Sequence, residues 1–95
     1  MRVISNQRLV AFAKQNADSE TPLQTWRKIL TKSTPANFAE LRRMFNSVDH
    51  VDDLYVFNVG GNKYRVVCGI NFEQGICYVK HVLTHSEYDR GRWKR

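Results

Sequence analysis

The sequence predicts an α+β domain, an antiparallel β-sheet meander packed against N-terminal helices and closed by a short C-terminal helical turn. Three observations carry this. Between Tyr55 and Leu83, three runs rich in Val, Tyr, Phe and Ile are separated by Gly60-Gly61-Asn62 and by Asn71-Phe72-Glu73-Gln74-Gly75, the pattern of two hairpins in series. Between Asn6 and Phe45, apolar residues recur at helical spacing in three separate stretches. Directly after the last apolar run, Thr84-His85-Ser86-Glu87 has the form of a helix-starting capping box.

In chain order, Met1 to Ile4 is short and apolar and reads as an additional strand. Leu9, Val10, Phe12 and Ala13 predict a helix over about 6–15, capped by Asn6 and ended by Asn16. Thr21-Pro22-Leu23-Gln24 predicts the next start, with Thr21 as cap and Pro22 at the first helical position, where its missing N–H costs little. Leu23, Trp26, Ile29 and Leu30 form its apolar stripe as far as about Lys32, where Ser33-Thr34-Pro35 breaks it. Asn37-Phe38-Ala39-Glu40 is a second capping box, and Phe38, Leu41, Met44 and Phe45 continue from it. Asn46 to Asp53 reads as a polar, acidic loop. Its Asp49, His50, Asp52 and Asp53 have no spacing that fixes a metal.

A two-residue turn at Gly60-Gly61 would place Phe57 opposite Tyr64 and Val56 opposite Arg65. A turn over 71–75 would place Arg65 opposite His81 and Val66 opposite Lys80. One face then carries Tyr55, Phe57, Tyr64, Val66, Cys68, Ile70, Ile76, Tyr78 and Val82, apolar enough to meet the helices. The other carries Val56, Asn58, Lys63, Arg65, Val67, Val79, His81 and Leu83, with Lys80 a misfit on the apolar side.

The 95 residues are read as one domain, 1–95, and 42% hydrophobic content suffices for a core. The net charge is +6. Residues 54–95 carry seven Lys or Arg against three Asp or Glu, and residues 1–53 eight against six. A surplus of this sign suits a polyanionic partner. No apolar run approaches the ~20 residues of a membrane span, and the start MRVISNQR lacks a signal-peptide core. No membrane association and a cytoplasmic location are therefore expected. Cys68 and Cys77, in apolar runs, read as buried free thiols.

The chemistry-bearing residues gather late in the chain. Lys63, Arg65, Lys80 and His81 lie on or beside the strands, and His85, Tyr88 and Asp89 follow the last one. In the tail, Arg90 to Arg95, basic residues flank Trp93. That composition suits either a solvated terminus or contact with nucleic-acid phosphates and bases through Arg92 and Lys94.

The segments YVFNVGGNKYRVV and YVKHVLTHSEYD, with TPLQTWRKI and NFAELRRMFNS upstream, resemble the HigB family of bacterial type II toxins over nearly the whole chain. The linked pair GGNKYR and THxEYD is specific. The resemblance implies a RelE-like fold and a ribosome-dependent mRNA endonuclease. It further implies contact with mRNA on the ribosome and with ribosomal RNA, and neutralisation by a HigA-type helix-turn-helix antitoxin. RNA can be cut without a metal or other cofactor when its own 2′-OH attacks the adjacent phosphate. That reaction needs a base, an acid and positive charge on the phosphorane. Arg65 is the expected phosphate ligand, His85 the expected proton carrier, Tyr88 a stacking or proton-donating group and Asp89 an orienting carboxylate. Lys63, Lys80, His81, Arg92 and Lys94 are the expected RNA contacts. The same basic face also suits a non-catalytic RNA- or ribosome-binding module.

Overall fold

The computed structural model describes residues 1–94. The element order is β1 (Arg2–Ile4), α1 (Asn6–Gln15), α2 (Glu20–Thr31), α3 (Phe38–Met44), β2 (Asp49–Val51), β3 (Leu54–Val59), β4 (Tyr64–Asn71), β5 (Ile76–Thr84) and α4 (His85–Arg90). Short 3-10 turns occupy Ala17–Ser19 and Arg92–Lys94. The five strands form one sheet in the order β1-β5-β4-β3-β2; β1 runs parallel to β5 and the other pairs are antiparallel.

The expected α+β architecture is present, with differences that have local causes. Helix α1 is entered from Ser5, whose backbone is left-handed at φ 79°, so Asn6 lies inside the helix instead of capping it. Helix α2 starts a residue before Thr21 because the 3-10 turn feeds directly into it. Asn37 caps α3 as expected, its side chain accepting from Glu40 N at 2.9 Å. Ile29, placed in the buried stripe by spacing, is 46% exposed: the seam of α2 runs through Leu23, Trp26 and Leu30. Part of the expected acidic loop is the edge strand β2, in which His50 stacks on Tyr55 with ring centroids 4.4 Å apart.

The first hairpin turns over four residues, not two. Val59 pairs with Tyr64 and Asn58 with Arg65, two positions from the expected register. A shift of two keeps every side chain on its face, so the face prediction survives for β3 and β4. The second hairpin differs more. Arg65 lies opposite Leu83 and Val67 opposite His81, and then the register breaks so that Cys68 pairs with Val79. Lys80 is the extra residue of this bulge. The irregularity resolves the misfit that the sequence left, because Lys80 turns outward, exposed. It also reverses the first half of β5. Cys77 and Val79 enter the core, and Tyr78, expected against the helices, is 40% exposed.

Two apolar clusters result. The larger lies between the helices and the sheet and includes Leu9, Leu23, Trp26, Leu30, Leu41, Phe57, Val66, Cys68 and Cys77. Phe57 anchors it, edge-on to Trp26 at 5.2 Å and to Phe45 at 5.1 Å. Cys68 and Cys77 are free and buried, and burial and the Cys77 neighbour hold the Cys68 thiol well above its ordinary pKa. The smaller cluster, on the opposite face, is Val56, Val67 and Trp93 with Leu54, Leu83 and Tyr88 packed around them. Trp93 is thus not a solvated terminal residue: it is 5% exposed. Gly91, at φ 73°, reverses the chain after α4, and Trp93 Nε1 donates to Tyr88 O at 2.9 Å. The tail reading also took in Arg95, which lies outside the described residues.

Candidate active site

The site forms where the β3–β4 turn meets the start of α4. Gly60 and Gly61 have φ of 68° and 71°, backbone that residues with a Cβ rarely adopt. This turn presents Asn62 and Lys63 to the end of β5. Thr84 closes a full capping box with Glu87: Glu87 N donates to Thr84 Oγ1 at 3.1 Å and Thr84 N to Glu87 Oε1 at 2.9 Å. The first helical residue is His85, whose backbone N–H donates to Lys63 O at 2.8 Å. Turn and helix are therefore locked together.

Arg65 projects from β4 into the centre of this arrangement and is only 6% exposed. Its Nη1 donates to Asn62 O and to Tyr64 O, both at 3.1 Å. Its Nη2 donates to Asn62 Oδ1 at 2.9 Å and lies 3.3 Å from His85 Nδ1. A guanidinium has no acceptor. The last contact is thus a hydrogen bond only when Nδ1 offers its lone pair, which puts the proton of a neutral His85 on Nε2. Asp89, one helical turn on, places Oδ2 3.6 Å from the same Nδ1. Two groups with opposite requirements therefore face one nitrogen: Arg65 needs it bare, and Asp89 needs it protonated.

Tyr88 completes the cluster. Its ring stacks on Trp93 at 5.0 Å, and Arg65 Cζ lies 5.4 Å from its centroid. Burial, aided by the charge of Asp49, holds its phenol above the ordinary pKa, so the hydroxyl keeps its proton near neutrality.

The structure brings together Arg65, His85, Tyr88 and Asp89 from the set that the sequence indicated. It places the others around them. The Lys63 backbone belongs to the cluster, but its ammonium pairs with Asp18 Oδ2 at 3.2 Å, and the Tyr64 hydroxyl donates to the same carboxylate. These two contacts hold the Asp18 carboxyl below its ordinary pKa. Lys80 and His81 lie farther back along β5, lining an open groove with Lys94. His81 is pushed toward its neutral form by burial and by the nearby charges of Arg8 and Lys80. Arg92 lines a smaller groove with His81 and Trp93 that leads toward α4. Sequence reasoning missed Asn62, which holds the guanidinium by two groups at once, and Asp18, which clamps the turn from 45 residues away. An Asn after paired glycines was a usable signal for the first, and nothing local marks the second. Among the described residues, no three His, Cys, Asp or Glu side chains are grouped to hold a metal ion, and no helix is long and apolar enough to cross a membrane.

Residues 19–91 match the family model HigB_toxin, described as the RelE-like toxic component of a toxin-antitoxin system. The chain is 36% identical over 92 residues to the mRNA interferase toxin HigB of Escherichia coli K12, covering 94% of this chain and 88% of that protein. An mRNA interferase HigB from Shigella flexneri matches to the same extent. Another from Escherichia coli O6:H1 is 29% identical over 93 residues, covering 95% of this chain and 90% of its own.

Proposed function

Because this chain belongs to the HigB family of RelE-like toxins, we propose that it is an mRNA interferase that cuts mRNA on the ribosome by 2′-OH attack on the adjacent phosphate, without a metal. The observation that carries the proposal is the shared contact of Arg65 and Asp89 with His85 Nδ1. With Arg65 on Nδ1, His85 Nε2 bears the proton and is no base. A phosphate entering the cluster competes for the Nη2 donor, since a charge-assisted bond to a phosphate oxygen is stronger than one to an imidazole. As Nη2 turns to the phosphate, Nε2 gives its proton to solvent, Nδ1 takes one from solvent, and the new Nδ1–H donates a hydrogen bond to the Asp89 carboxylate, which stays ionised. Nε2 is then a free lone pair, and His85 accepts the 2′-OH proton there. Arg65 neutralises the charge that grows on the phosphorane. The Tyr88 phenol, kept protonated, protonates the departing 5′-oxygen. Arg65 thus has two successive partners, and the base is armed by substrate.

Such a site is idle without RNA held in register, which fits a requirement for the ribosome to present the strand. The basic surplus serves approach and grip. The partners that follow are mRNA and ribosomal RNA, together with a HigA-type helix-turn-helix antitoxin that neutralises the toxin.

The test is cleavage of a defined mRNA by purified protein, with and without programmed bacterial ribosomes. New 5′ ends inside the reading frame and 2′,3′-cyclic phosphate or 3′-phosphate ends are expected with ribosomes. His85→Ala should abolish them. Asp89→Asn should lower the rate while leaving ribosome binding intact. Cleavage that yields 3′-hydroxyl ends defeats the mechanism. Salt-sensitive ribosome binding with no cleavage by wild type would favour the non-catalytic binding module.

A further inference from the structure

Beyond the reacting cluster, the outward face of β4 and β5 carries a groove of about 600 Å³. Its features are specific. Tyr78 stands in it with its side chain 40% exposed, turned there by the bulge at Lys80. Directly across the ladder is Gly69, which sets no side chain of its own beside the ring. A Cβ at Gly69 would come within 3.1 Å of Lys80 Cε, so the lysine stem crosses the groove floor only because no side chain is there. Lys94 reaches the same groove, its ammonium 5.7 Å from the Trp93 ring centroid. Asp52 and Asp53 line it as well. A bare aromatic ring beside two ammonium groups suits an unpaired nucleobase with its phosphates. The carboxylates repel phosphate and accept hydrogen bonds, so they suit the base edge, and above all an exocyclic amine.

The groove leads toward α4, the helix that carries His85, Tyr88 and Asp89. It shares His81 and Trp93 with the smaller groove, of about 300 Å³, that runs past Leu83 to Glu87 and Arg90 on α4. From Tyr78 to Thr84 the strand spans ~20 Å at about 3.3 Å per residue. That is the length of a few nucleotides of extended single strand.

We infer that Tyr78, Lys80 and Lys94 form a second nucleotide subsite, in which one unpaired base of the RNA stacks on Tyr78 and a base carrying an exocyclic amine is preferred through Asp52 and Asp53. The inference rests on RNA as the substrate and adds where the strand lies and which residue reads it.

The experiment measures binding of short, unstructured, fully 2′-O-methylated RNA, which cannot be cut by its own 2′-OH, to wild type, Tyr78→Phe and Tyr78→Ala by fluorescence anisotropy. Tyr78 is at the surface, so both variants should keep the fold. Tyr78→Phe should bind within about twofold of wild type. Tyr78→Ala should bind roughly 5- to 150-fold more weakly, the range expected when one base loses its stacking partner. An abasic residue at one position of the RNA should weaken wild type similarly and add nothing in Tyr78→Ala. Oligo(C) should bind more tightly than oligo(U), a preference removed by Asp52→Asn with Asp53→Asn.

Binding of Tyr78→Ala within twofold of wild type overturns the inference. An abasic penalty that persists unchanged in that variant overturns it too, and so does wild type that binds no RNA. Ribosomal cleavage assayed in parallel separates the two levels. If wild type cleaves mRNA and Tyr78→Ala is indistinguishable, only the subsite falls. If wild type cleaves nothing, the functional reading falls as well. Displacement of Tyr78 ring signals by a protein partner, with no displacement by RNA, would assign the groove to protein instead.

Discussion

Trp93→Ala is the substitution that most directly tests how the site is held. Helix α4 carries His85, Tyr88 and Asp89 but buries no residue of its own. Its attachment to the sheet is the capping box, the His85–Lys63 backbone bond, the contacts of Arg65 with His85 and Tyr88, and the indole of Trp93, which packs with Val56, Val67 and Tyr88. An aromatic of this size buries about 200 Å². At about 25 cal/mol per Å² that sets a ceiling near 5 kcal/mol. The terminal segment can settle into part of the space, which brings the expected loss to about 3 kcal/mol. The lost Nε1 bond adds little, because Tyr88 O still accepts from Gly91 N at 3.0 Å. A domain of ordinary stability, ~5–15 kcal/mol, remains folded after such a loss. Cleavage should nevertheless fall at least tenfold, because His85 and Tyr88 lose their support. Urea titration gives the global change, and amide exchange over Glu87–Arg90 gives the local one. Trp93→Phe should recover part of both. A Trp93→Ala protein within about 1 kcal/mol of wild type, with unchanged protection in α4, would show that the indole does not hold this helix.

Phe57→Ala, at a residue 1% exposed and edge-on to two rings, should cost about 4 kcal/mol by urea or thermal unfolding. Asp18 has a lowered pKa, so its contribution is present above the unfolded value of 3.8 and is lost as pH falls through the folded one. Asp18→Asn should therefore melt below wild type at pH 7, and the difference should close on acidification below about pH 4. His81 is also depressed, here by burial and by Arg8 and Lys80. Its neutral form is favoured by folding, so stability is full above the ordinary imidazole value near 6.5 and declines as pH falls toward the folded one. The slope of melting temperature between pH 7 and 5 should be flatter in His81→Gln. Arg65→Met should abolish cleavage while changing stability by no more than about 2 kcal/mol in either direction, since an apolar side chain of similar length needs no buried acceptors. A collapse of the fold in that variant would mean that the guanidinium is structural first.

What the sequence disclosed follows how local each signal was. The caps at Asn37 and Thr84 and the helix and strand runs are written within a few residues, and they appear close to where expected. The convergence of Arg65 with His85, Tyr88 and Asp89 was visible because two short segments carry all four. Register was less legible. The bulge at Lys80 brings Cys77 and Val79 into the core, and neither it nor the four-residue turn is fixed by the alternation of apolar residues along the strands. Trp93 misled for a related reason. A lone indole among basic residues has no periodicity, and its destination became fixed only through the left-handed turn at Gly91 and an apolar patch formed by Val56 and Val67. Asp18 lay beyond reach altogether, since its partners Lys63 and Tyr64 are brought to it by the packing of α1 and α2 on the sheet.

The burial of Arg65 is itself an argument about what this region is for. Removing a guanidinium from water is costly, and good geometry recovers the cost without leaving a large surplus. Here the recovery takes Asn62 by its carbonyl and its side chain, Tyr64 by its carbonyl and His85 by Nδ1. The glycines at 60 and 61 bend the chain so that Asn62 can serve twice, and the His85–Lys63 bond fixes α4 to the same turn. An apolar residue at position 65 would close the sheet with far less apparatus. The apparatus makes sense if the charge must sit beside an imidazole and be released from it by a competing anion. The motifs around Asn62 and His85 are then two halves of one device, and the Asp18 clamp on Lys63 and Tyr64 is what keeps the first half in register with the second.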